Sequence, residues 1–165
     1  MKHLKAVAFD LTGTLLRESM GQTLVEPIPG AVEAIKALHQ RDLTMVVASN
    51  SQTPADYIER MLMQIAVSAY FSRIFTAYTL HSPKPYPAFF LGMLQTLNLQ
   101  PSELLMVGDS YLSDVVGASN VGMPALWFWD GVLPEGTNTS AAVGVLRSMA
   151  DLPTWVDRIN GRMSS

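Results

Sequence analysis

Two kinds of hydrophobic pattern alternate along this chain. Short, largely apolar runs cover residues 4–9, 43–48, 104–107 and 125–129, with a weaker one at 73–77. Between them lie longer stretches in which apolar residues return every three or four positions. A short continuous run fits a strand buried on both faces, and the longer period fits a helix with one face inward. Residues 31–41 read as a helix, with Val32, Ile35 and Leu38 inward and charged Glu33 and Lys36 between them. Thr53-Pro54-Ala55-Asp56 reads as a helix start, with a Thr N-cap, Pro first and an acid third. Ile58, Met61, Leu62 and Ile65 supply that helix's apolar face. Further helices are expected over 86–98 (Phe90, Met93, Leu94 and Leu97 inward) and 112–121, ending at the C-cap residue Gly122. A closing helix over 153–160 turns Trp155, Val156 and Ile159 inward. The loop before residue 31 holds Gly21, Pro27 and Pro29.

Strands alternating with helices predict an α/β, Rossmann-like three-layer fold: a mainly parallel sheet of about five strands with helices on both faces. In such sheets ligands sit beyond the carboxyl ends of the strands. Asp10, Ser49 and Asp109 each fall at or just after a predicted strand end, so they are expected to form one site.

Composition narrows the function classes. The 165 residues fit a single domain, 1–165, and 48% hydrophobic content suffices for one core. Only 15% of residues are charged, the net charge is -3, and no basic run exists to bind a nucleic-acid backbone. The absence of Cys excludes disulfides, thiolate metal ligands and Cys nucleophiles. The start Met1-Lys2-His3-Leu4-Lys5, with a short apolar run broken by Asp10, does not read as a signal peptide. No apolar run approaches the roughly 18 residues that span a bilayer. The expectation is a cytoplasmic protein with no membrane partner.

Four segments carry candidate chemistry. Phe9-Asp10-Leu11-Thr12-Gly13-Thr14-Leu15 puts an acid at a strand end before a Gly turn, where a carboxylate is exposed yet held; the plain alternative is a loop Asp. Ser49-Asn50-Ser51 offers a hydroxyl and backbone N–H groups near a helix start, fitting phosphate oxygens or simple capping. In Ser82-Pro83-Lys84-Pro85-Tyr86-Pro87, three prolines stiffen the backbone around one Lys, which otherwise reads as a solvated surface residue. Gly108-Asp109-Ser110-Tyr111-Leu112-Ser113-Asp114 carries two acids across a strand-to-helix turn. They can converge on one hard cation or cap a helix.

These four segments, in this order over about residues 4–129, resemble the motifs of haloacid dehalogenase (HAD) superfamily phosphohydrolases. The resemblance implies a HAD-type core without a large cap domain. It makes Asp10 the nucleophile of a covalent aspartyl intermediate. It also implies Mg²⁺ held by Asp10, the backbone carbonyl of Thr12 and Asp109, with Asp114 supporting the metal site. Ser49, Asn50 and Lys84 would bind the phosphoryl group, with Lys84 also neutralising charge in catalysis. The implied partner is a phosphorylated substrate, small molecule or macromolecule.

The pattern breaks at Thr12. Superfamily phosphatases carry a second Asp there, which protonates the leaving group and activates water; Thr cannot titrate near neutral pH. That loss predicts a slow Mg²⁺-dependent phosphohydrolase. Two alternatives stay open: a weakly catalytic phosphate- or protein-binding module, and a carbon–halogen hydrolase, which needs no metal. Residues 11–48 and 50–83 are filled by core elements, so residues 15–28 form at most a small flap. Capless relatives act on macromolecules or borrow a neighbouring subunit as a lid, which leaves a homo-oligomer open. Trp127 and Phe128 are read as core, with the rim of the site as the alternative for Trp127-Phe128-Trp129. His3, His39 and His81 lack metal-ligand spacing; only His81 lies close in sequence to Lys84.

Overall fold

The computed structural model describes residues 3–19 and 24–161. Six parallel strands form the main sheet: β1 (Ala6–Phe9), β4 (Thr44–Ser49), β5 (Phe71–Thr76), β6 (Leu104–Gly108), β7 (Ala125–Phe128) and β8 (Gly144–Leu146). Their spatial order is β5-β4-β1-β6-β7-β8. The chain therefore builds outward from β1 in one direction, returns to its other side at β6, and builds outward again. That reversal leaves a crevice at the carboxyl ends of β1 and β6, where open α/β sheets place their ligands.

Alternate residues of each strand feed two separate cores, which is why the strands read as continuous apolar runs. Val7, Phe9, Met45, Val47, Leu105 and Val107 pack under α1 (Ala31–His39), α2 (Ala55–Gln64) and α6 (Leu152–Ile159). Ala6, Ala8, Val46, Ala48, Leu104 and Met106 face the other layer, built on α3 (Ala77–Leu80), α4 (Pro87–Leu97) and α5 (Gly117–Asn120). The three-layer α/β arrangement expected from the pattern is present.

The elements differ from the expectation in instructive places. The sheet has six strands because β8 pairs with β7; three residues are too few to show a period. Helix α1 buries Ala31, Ala34, Ile35 and Leu38, while Val32 is only half-buried. Helix α2 begins after Pro54, and Thr53 is not its cap: the Thr53 hydroxyl pairs with Ser51 Oγ at 2.6 Å. Helix α4 buries Phe89 as well as Phe90, Met93 and Leu94. The segment expected as one helix over 112–121 is a π-helical turn, Tyr111–Val116, running into α5. The expected flap is an antiparallel hairpin of β2 (Leu16–Glu18) and β3 (Val25–Pro27). Gly21, placed in the loop by sequence, lies outside the described residues. Among those residues, only this hairpin and α1 stand between β1 and β4, and α2 with a short 3₁₀ turn stands between β4 and β5.

Candidate active site

Asp10 follows β1, and its N–H donates to the Val107 carbonyl of β6 at 2.9 Å, fixing it beside the crevice. The chain then turns tightly through Gly13, at φ 86°. A side chain at this position would collide with the Asp109 carboxylate, so glycine serves here both the backbone conformation and the close approach. Thr12 lies exposed in this turn, between the nucleophile candidate and Gly13.

Lys84 is the buried centre of the site. Its ammonium donates to Asp114 Oδ1 at 2.6 Å, the Ala48 carbonyl at 2.7 Å and Asp10 Oδ1 at 3.0 Å. Those three bonds use all three ammonium protons. The Lys84 backbone is held in turn by Asn50, whose side-chain oxygen accepts from Lys84 N–H at 2.7 Å while its amide donates to the Lys84 carbonyl at 3.0 Å. Asn50 and Lys84 were both expected to bind substrate. The Asn50 side chain positions the Lys84 backbone and, exposed, keeps a second amide proton, whereas Lys84 must exchange a protein partner before it can contact a phosphoryl oxygen directly. Ser49 ends β4 largely buried, its hydroxyl accepting from the Ser51 N–H at 3.2 Å and keeping its own proton to donate.

The two acids after β6 have different surroundings. Asp114 is fully buried, with one oxygen on Lys84 and the other accepting from the Ser110 N–H at 3.1 Å. The π-helical turn brings it there, and Gly108 leaves room for it: a Cβ at that position would overlap the Asp114 carboxylate. Asp109 is half-exposed and faces Asp10. Oxygens of Asp10, Asp109 and Asp114 all lie within 4.8 Å of one another. Sequence reasoning missed Thr14, although it stands in the first motif. Fully buried, its hydroxyl lies 3.3 Å from Asp109 Oδ1 and 3.5 Å from Asp10 Oδ2, linking the two acids.

Three carboxylates around one ammonium leave the site short of positive charge. Burial, aided by a hydrogen bond and repulsion from Asp10, pushes the Asp109 carboxyl up to about 7. Burial likewise pushes Asp114 up to about 6, against the pull of Lys84. Burial acts to lower the Lys84 pKa, but the charges of Asp10 and Asp114 outweigh it and hold the ammonium charged. An Asp109 pKa raised in the folded state stabilises the fold fully below the ordinary value of 3.8 and loses that contribution as pH rises through about 7. Metal-free protein is therefore expected to melt at lower temperature near about pH 8 than near about pH 5, and Asp109→Asn should flatten that slope. Thermal melts in chelator across this window measure it; an unchanged slope in the variant contradicts it.

The remaining sequence candidates separate cleanly. Trp127 and Phe128 are buried, as read, whereas Trp129 is 36% exposed. Trp127 also touches the site, since its indole N–H donates to the Asp109 carbonyl at 2.9 Å. His81 lines an open cleft of about 610 Å³ with Gln52, Tyr78 and Pro83, next to the Ser49 loop. His39 instead packs edge-on against Tyr70.

A family model described as haloacid dehalogenase-like hydrolase matches residues 7–128, from within β1 to the end of β7. The chain belongs to this family. Among relatives of the hydrolase, a phosphoglycolate phosphatase of Vibrio vulnificus is 30% identical over 119 residues, 72% of this chain and 50% of that protein. A glyceraldehyde 3-phosphate phosphatase of Pyrococcus furiosus is 29% identical over 113 residues, 68% of this chain and 46% of that protein. The chain thus spans about half the length of these relatives. A solved structure of an uncharacterized Listeria monocytogenes protein superposes with TM-score 0.81 at 22% identity, covering 96% of this chain and 99% of that one. A HAD phosphatase from Thermococcus onnurineus gives 0.77 at 20% identity, covering 93% and 98%. At such identities the two structures speak for the shared fold. No helix among the described residues is long and apolar enough to cross a membrane.

Proposed function

We propose that this hydrolase is a slow, Mg²⁺-dependent phosphatase that works through an aspartyl-phosphate on Asp10. The carrying observation is the convergence of Asp10, Asp109, Asp114 and Lys84 at the crevice between β1 and β6. The names of the two relatives support phosphate esters as the substrate class. An all-oxygen donor set of clustered carboxylates suits a hard divalent cation, and such a cation would relieve the repulsion that adds to burial in raising Asp109. Asp10 and Asp109 would hold it with the Thr12 carbonyl, while Asp114, tied to Lys84 and Ser110, supports them. When bound, Mg²⁺ offsets the repulsion between carboxylate and phosphate.

The chain's own residues supply the rest. The Asp10 carboxylate attacks phosphorus, and the bond from phosphorus to the leaving oxygen breaks. Ser49 donates its free proton to a phosphoryl oxygen, and Lys84 holds the nucleophile in place through its bond to Asp10 Oδ1. The departing oxygen takes its proton from water, because the Thr12 hydroxyl does not titrate near neutral pH and cannot serve as a general acid. A water then attacks phosphorus, the phosphorus–Asp10 oxygen bond breaks, and inorganic phosphate leaves as the water's proton passes to solvent. A panel of phosphate monoesters assayed with and without Mg²⁺ tests the reading: turnover confined to the Mg²⁺ arm supports it, and none on any ester defeats it.

Two expectations refine this. Thr12→Asp should raise turnover of an alkyl phosphate, by less than the roughly 10²- to 10⁴-fold that general acid–base help can supply. Wild type should favour good leaving groups, and the variant should narrow that preference; slower alkyl phosphate turnover in the variant would show that the proton already comes from elsewhere. The cleft beside the Ser49 loop would offer the leaving group Gln52, Tyr78, His81 and Ser82, with no Lys or Arg on its walls among the described residues. Uncharged, hydroxylated leaving groups are therefore expected to be turned over better than phosphoglycolate, whose carboxylate meets no Lys or Arg there among the described residues. Equal kcat/KM for glyceraldehyde 3-phosphate and phosphoglycolate would contradict that preference.

A further inference from the structure

The segment Trp127-Phe128-Trp129 takes no part in the chemistry above, yet it reaches the site. Trp127 stands on β7 opposite Gly108 of β6, and its ring is nearly buried. From there the indole N–H donates to the Asp109 backbone carbonyl at 2.9 Å. Tyr111, two residues past Asp109, lays its ring 4.9 Å from that of Trp127. The Tyr111 hydroxyl accepts from the Ala141 N–H at 3.1 Å, so the aromatic pair is anchored at its far end too. The second indole, Trp129, packs 5.5 Å from Trp127 and carries the stack to the surface.

This stack grips the Asp109–Tyr111 turn from the side away from Asp10. On the opposite side Thr14 reaches the Asp109 carboxylate. The backbone of Asp109 is thus pinned by one contact and its side chain by the other. We infer that Trp127 is a positioning residue: its indole N–H fixes the Asp109 backbone so that the carboxylate points at the cation site, and its ring senses occupancy of that site. The inference rests on the Mg²⁺ reading above, but the indole bond is a property of this chain's own residues.

Trp127→Phe keeps an aromatic ring and removes the N–H. Groups that orient a metal ligand typically change affinity by about 10- to 100-fold when lost, so Mg²⁺ should bind at least about tenfold more weakly by calorimetry. Fluorescence supplies a second readout, because the chain has only three Trp. Mg²⁺ should shift the emission of wild type and of Trp129→Phe, and the shift should vanish in Trp127→Phe. A purely structural role would lower the metal-free melting temperature of Trp127→Phe and leave its Mg²⁺ affinity unmoved. Affinity within twofold of wild type, or an emission change that survives in Trp127→Phe, overturns the assignment. If Trp127→Phe fails to fold, Trp129→Phe decides: loss of the emission change there overturns it. Wild type that binds no Mg²⁺ at millimolar concentration defeats the metal reading and this inference with it, whereas wild-type binding with an indifferent Trp127→Phe defeats the inference alone.

Discussion

Asp10→Asn is expected to cut phosphate-ester turnover by on the order of 10⁴-fold or more, the scale on which losing a covalent nucleophile acts. The amide keeps the shape of the carboxyl group and can still accept from Lys84, but it cannot attack phosphorus. The same substitution should leave the metal-free protein folded, because relief of Asp109 offsets the loss of one of the two acids on Lys84. Asp109 is raised first by burial and then by its hydrogen bond to, and repulsion from, Asp10, so neutralising Asp10 relieves a crowded site. Loss of activity with an intact melting transition is therefore the expected pair of results. Loss of both would mean that Asp10 is chiefly structural, and retained activity in an undeamidated preparation would remove it as the nucleophile.

The second large effect is on stability. Lys84→Met replaces a buried ammonium that holds two acids and a main-chain carbonyl. Breaking a buried ion pair from one side leaves an uncompensated charge and costs about 3–5 kcal/mol. Denaturant unfolding should show a loss of that size in metal-free protein near neutral pH. Adding Asp114→Leu should recover part of it, since the more deeply buried partner charge is then gone. A loss below about 1 kcal/mol would mean that the acids are already protonated and that Lys84 supplies little.

Much of this site was legible in the sequence because its parts are local. Asp10, Ser49 and Asp109 each close a short apolar run, and the strand-end rule alone gathers them into one place. Lys84 announced itself by its prolines. What stayed hidden depends on tertiary contacts. Thr14 looks like an ordinary turn residue until β6 brings Asp109 beside it. Asn50 reads as a ligand-binding residue, and only the folded chain shows that its amide also holds the Lys84 backbone. The π-helical turn at Tyr111–Val116 carries a helical pattern, and the sequence does not show the wider winding that accompanies the burial of Asp114 against Lys84. Trp127 was correctly read as core, but hydrophobic patterning cannot show where a buried indole N–H points. Strand β8 needed β7 beside it to exist at all.

In the proposed reaction Asp10 carries the phosphoryl group. Thr12 makes this accessible, because a site that lacks the acid–base residue should form the intermediate from a good leaving group faster than it hydrolyses it. The direct measurement mixes wild-type protein with p-nitrophenyl phosphate and Mg²⁺, quenches in acid within the first turnover, and maps phosphate by peptide mass spectrometry. A burst of nitrophenol approaching one per protein molecule is expected, with phosphate on the peptide containing Asp10, both absent in Asp10→Asn and reduced by chelator. Steady turnover with no covalent phosphate, or phosphate on any other residue, would contradict it.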